Sequence, residues 1–81
     1  MQLSRAAEYS AAIEKSKEAA MITNMPDITV TSAHALLKPA LEDLERAVPD
    51  ARPGDKASLN ARDWKETFIK TANYGWLRLP E

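Results

Sequence analysis

Five prolines, Pro26, Pro39, Pro49, Pro53 and Pro80, most restrict what this chain can become. Proline fixes φ and has no amide donor, so helix interiors and central strands do not run through it. The 81 residues therefore fall into a front, a middle and a back segment. Composition inclines these segments toward helix. Alanine occurs 14 times and glycine twice; alanine is the strongest helix former and glycine one of the weakest.

The front segment, about Leu3 to Ile22, reads as a helix rich in Ala, Glu and Lys, with Ser4 as its N-cap. Leu3, Ala6, Ile13 and Ala20 share a face, with Tyr9 beside them. Asn24 suits a left-handed cap and Pro26 stops the helix. Asp27 to Val30 is a connector, whose alternation leaves room for a short extended piece. A second helix is expected from Thr31 or Ser32. Its stripe is Leu37, Leu41, Leu44 and Val48 with Leu36 alongside, while Glu42, Asp43, Glu45 and Arg46 lie opposite. Pro39 either kinks this helix or sits in the first turn of a later start. Pro49 to Ser58 reads as a loop.

The back segment predicts a third helix. Asn60 caps it, Leu59 and Trp64 have hydrophobic-staple spacing, and Trp64, Phe68, Ile69 and Ala72 make its apolar face. Gly75 ends it, and Trp76 to Leu79 is extended before Pro80. The expected fold is all-α: one helical domain over residues 1–81, a small three-helix bundle with a short extended C-terminal tail.

The chemistry expected of this sequence is sparse. His34 is the one histidine, and no neighbouring residue supplies a nucleophile or an orienting carboxylate; it reads as a half-buried residue at a helix start. Without cysteine there is no disulfide and no thiolate metal site. Glu42, Asp43 and Glu45 diverge around a helix, so they read as a solvated acidic face. Two glycines are too few for a phosphate-binding loop. The expectation is a protein that is not an enzyme and holds no metal or cofactor. Met1 to Ser10 carries Arg5 and Glu8 and lacks the apolar stretch of a secretory leader, and no run approaches the ~20 apolar residues of a bilayer span. A cytoplasmic protein with no membrane partner is expected.

Eleven basic and twelve acidic residues leave a net charge of −1, which gives no global steering toward nucleic acid. The back segment departs from that balance. Trp64, Phe68, Tyr74 and Trp76 share it with Arg62, Lys65, Lys70 and Arg78. Trp64 and Phe68 suit a core with Trp76 as its lid. Alternatively, Arg62, Lys65, Lys70, Trp76 and Arg78 form a partner-binding set, since tryptophan and arginine are common interface anchors. On this second reading the chain is a non-enzymatic interaction module: an adaptor, inhibitor or accessory subunit occupying a surface of a larger protein, as small phage and mobile-element proteins often do. The run Gly75-Trp76-Leu77-Arg78-Leu79 after a helix also resembles the last helix and first wing strand of winged-helix domains, over about twenty residues and without a second wing strand. That resemblance implies the alternative, a small DNA- or RNA-binding regulator. The alanines of the first helix (Ala6, Ala7, Ala11, Ala12, Ala19, Ala20) suit either internal packing or a homodimer through helix 1.

Overall fold

The computed structural model describes residues 5–23 and 28–79. Their elements are α1 (Arg5–Thr23), β1 (Ile28–Thr31), α2 (Leu37–Ala47), β2 (Lys56–Asn60), β3 (Lys65–Thr71) and β4 (Gly75–Arg78). The strands form one mixed sheet in the order β1-β2-β3-β4. The fold is α+β, which overturns the all-α three-helix bundle expected from the sequence. The roles given to Leu3, Ser4, Asn24, Pro26, Asp27 and Pro80 lie outside the described residues. Among the described residues no helix is long and apolar enough to cross a membrane.

The third helix is where the expectation fails. Lys56–Asn60 alternates buried Ala57 and Leu59 with half-buried Lys56, Ser58 and Asn60, which is strand periodicity. In Lys65–Thr71, Phe68 and Ile69 are both buried although adjacent. Successive strand residues point to opposite faces, so both can be buried only where both faces of the sheet are covered. The spacing from Trp64 to Phe68 to Ala72 suggested a helical stripe, but Thr67, Phe68, Ile69 and Thr71 are strand formers, and pairing with β2 and β4 decides the outcome. The expected tail is strand β4. It is joined to β3 by a tight turn in which Tyr74 N–H donates to Thr71 Oγ1, Thr71 Oγ1 donates to Gly75 O, and Gly75 takes φ +67°. The segment likened to a last winged helix is thus a strand.

β1 runs parallel to β2, and α2 makes the crossover. Parallel neighbours need such a connection, because no tight turn can join them. Of the two outcomes open for Pro39, the structure takes the first-turn position: α2 starts at Leu37, so the missing N–H of Pro39 is one that has no helical partner anyway. Ala40 and Leu44 are fully buried and pack with Ala57, Leu59, Phe68 and Trp76. A leucine buried like Leu44 contributes roughly 1.5–3 kcal/mol.

α1 packs against β3. Its buried Ile13 stands outside the cluster beneath α2, as does Ile69, so the two helices sit on opposite faces of the sheet. The approach of α1 is close. At Gly54, where φ is +102°, a Cβ would lie 2.9 Å from Ala20 N and 3.0 Å from Ser16 O. Tyr9 on α1 meets Tyr74 edge-on, with ring centroids 5.1 Å apart.

Candidate interaction surface

At the carboxyl ends of the parallel strands β1 and β2, residues 32–36 cross to α2. Ser32 is buried. Its Oγ accepts the His34 N–H at 3.1 Å and donates to Asp43 Oδ2 at 2.7 Å. Arg46 pairs with the other oxygen of Asp43, and His34 Nε2 stands 3.7 Å from Oδ2. The Ser32 hydroxyl, opposed by burial and joined by Arg46 and His34, holds the Asp43 carboxyl below its ordinary range.

Serine, histidine and aspartate therefore meet, but in the order of a clasp. In a nucleophile triad the imidazole stands between hydroxyl and carboxylate. Here the hydroxyl proton goes straight to the carboxylate. Among the described residues no group of three or more His, Cys, Asp or Glu side chains could hold a metal ion.

The same loop is fastened to the β2–β3 turn. Ser32 N–H donates to Asn60 O at 2.8 Å, Arg62 N–H to His34 O at 3.3 Å, and Trp64 Nε1–H to Ala35 O at 2.7 Å. These bonds hold in place the two residues that follow, and those residues face water: Leu36 is 72% exposed and Leu37 51%. Leu37 and Trp64 line a groove of about 260 Å³ whose other wall is Glu66 and Arg78. Arg78 Nε lies 3.3 Å from Glu66 Oε2.

The five residues singled out in the sequence are dispersed. Register puts Lys65 on the face opposite Phe68, while Lys70, Trp76 and Arg78 share the Phe68 face. Arg62 is exposed in the β2–β3 turn. The Lys70 ammonium lies 5.8 Å from the Trp76 ring centroid. Trp76 itself is 6% exposed and belongs to the core cluster, and its Nε1 is buried without a partner. Only Arg78 stands on the groove. The four basic residues of the set share no single face, since Lys65 lies on the face opposite Lys70 and Arg78, and Arg62 sits in the turn.

Sequence reasoning missed Ser32, Asp43, Leu36 and Leu37 as a unit. Asp43 was grouped with a solvated acidic face, and Leu36 and Leu37 with a buried stripe. One signal was present: a leucine pair standing before Pro39 must precede the helix body once Pro39 belongs to the first turn.

No protein-family model matches the chain, and no curated protein or solved structure matches it.

Proposed function

We propose that this chain is a non-enzymatic interaction module of the cytoplasm that docks a larger protein through Leu36, Leu37 and Trp64, with Arg78 and Glu66 at the rim. The exposure of two consecutive leucines, of which Leu37 lines a groove with the Trp64 indole, carries this reading. Single exposed apolar residues are ordinary, whereas contiguous ones beside polar residues mark contact sites. Each leucine taken out of water by a partner contributes roughly 1.5–3 kcal/mol. The loop is already bonded in place, so little ordering entropy opposes docking. The composition of the patch, leucine and tryptophan beside arginine, matches an apolar centre with a polar rim.

The test is a tagged pull-down without nuclease, run with wild type and with a Leu36→Asp, Leu37→Asp double variant. Both leucines are exposed, so the variant keeps its fold. The expected result is one protein recovered in near-equal amount from wild type, resistant to high salt, and lost from the variant. Nucleic acid that elutes as salt rises, with no stoichiometric protein, would favour the DNA- or RNA-binding alternative, since phosphate contacts weaken steeply with ionic strength.

A further inference from the structure

A sheet in the order β1-β2-β3-β4 has two edges, and they differ. On β4, Leu79 N–H donates to Thr67 O. Antiparallel pairs alternate, so Leu77 and Gly75 also bond inward to β3, and Trp76 and Arg78 present their N–H and C=O outward. That edge is guarded: Trp76 is almost wholly buried, Arg78 is charged, and Pro80, which has no donor, comes soon after in sequence. Charges and prolines are the usual ways of blunting an edge.

The four residues of β1 include neither a charge nor a proline, and Pro26 and Asp27 precede them in sequence. Ser32 N–H bonds Asn60 O, so Ile28 and Val30 bond inward to β2 in the parallel ladder, and Thr29 and Thr31 direct N–H and C=O away from the sheet. Both threonines are exposed. The strand, Ile-Thr-Val-Thr, is wholly β-branched and uncharged, the composition best suited to pairing. A short edge with two free donors and two free acceptors is a template for another strand.

We propose that β1 is a homodimerisation edge, on which β1 of a second copy pairs antiparallel to make one continuous eight-stranded sheet. This goes beyond the leucine-patch reading and does not depend on it. The edge is complementary to itself. A two-fold axis at Val30 sets Thr29 opposite Thr31 of the second copy and Thr31 opposite its Thr29, which uses all four outward groups of each strand. Opposed threonines are a favourable cross-strand pair. Val30, half-buried against the core, meets Val30 of the second copy on the face covered by α2. The helices fit as well. α2 lies over β1 and β2, and strands are spaced about 4.8 Å apart, so the two copies of α2 would run antiparallel about 10 Å apart, at the upper end of helix-packing distances. Ala47, small and exposed, lines the same cleft as Ile28 of β1, so that flank of the helix admits a close neighbour.

The test is sedimentation equilibrium over a range of concentration. Wild type is expected at twice its 9.0 kDa chain mass. Replacing both threonines with lysine (Thr29→Lys with Thr31→Lys) sets like charges opposite each other and weakens association about tenfold or more. Thr29→Lys with Thr31→Glu sets opposite charges in register and keeps the dimer. A wild type that stays at single-chain mass overturns the proposal. So does a dimer indifferent to the lysine pair, which would put the interface elsewhere, α1 included. Hydrogen exchange on wild type answers the same question without any variant. The Thr29 and Thr31 amides should gain protection as concentration rises, and exchange that stays fast overturns the pairing.

Discussion

Ser32 Oγ donates to Asp43 Oδ2 at 2.7 Å, and this one bond ties the end of β1 to the middle of α2. It joins the two halves of the crossover at the place where the loop carrying Leu36 and Leu37 departs. The hydroxyl also accepts the His34 N–H, so a buried polar group is satisfied twice, as burial requires.

The clasp makes stability depend on acid. A carboxyl held low in the folded state adds stability at pH above its unfolded value and loses it as pH falls through the lowered one. The Asp43 carboxyl is lowered chiefly by Ser32. Wild type should therefore exceed Asp43→Asn in denaturant midpoint near neutrality, and the gap should narrow below about pH 4. A gap that stays constant into acid would mean that the charge on Asp43 contributes nothing.

The two positive-φ glycines should respond differently to alanine. At Gly54 the new methyl meets the backbone of α1 at Ala20 and Ser16 as well as an unfavourable φ, so Gly54→Ala should cost roughly 2–4 kcal/mol. At Gly75 nothing lies within 4 Å, and Gly75→Ala should cost only about 1–2 kcal/mol of backbone strain. Equilibrium unfolding in urea orders the two. If Gly54→Ala proves the milder, α1 does not dock over residue 54 as described.

Trp76 should behave as core. Trp76→Ala removes a large buried side chain from beside Phe68 and should cost roughly 3–5 kcal/mol, enough to unfold a small domain. Trp76→Phe gives up ring volume but also removes a buried Nε1–H that has no partner. It should stay within about 1.5 kcal/mol of wild type. Circular dichroism melts of the two variants test this; a native-like Trp76→Ala would put the indole at the surface.

The legible parts of this fold were those whose signals were local. The front helix, the α2 stripe through Leu41, Leu44 and Val48, and the hint of extension at Ile28 to Val30 followed from spacing and backbone chemistry; the left-handed conformation of Gly75 did too, although it opens a strand and ends no helix. The back segment did not, because Trp64, Phe68 and Ala72 satisfy a helical spacing by coincidence. The strand signal there was the alternation over Lys56–Asn60, concealed by a preceding loop rich in proline and glycine. A sheet covered on both faces also erases the two-residue period that would have marked Lys65–Thr71. The clasp was illegible for another reason: Ser32 and Asp43 are eleven positions apart, and only the crossover geometry brings them together.

Trp64 links the platform to the sheet, so it offers a way to loosen the leucine patch without touching it. Its ring packs near Phe68, with centroids 6.5 Å apart, and its Nε1–H holds Ala35 O. Trp64→Phe keeps much of the ring contact and deletes the bond. The net cost should be about 1 kcal/mol, a fall of roughly 4–8 °C in Tm for a domain of this size. The larger effect should be local, with faster hydrogen exchange at residues 35–37 than in wild type while the β2–β3 ladder stays protected. Partner capture should weaken less than in the Leu36→Asp, Leu37→Asp variant, because the apolar surface remains and only its ordering is lost. Exchange at residues 35–37 unchanged from wild type would show that the Ser32 clasp and the Arg62 bond hold the platform without Trp64.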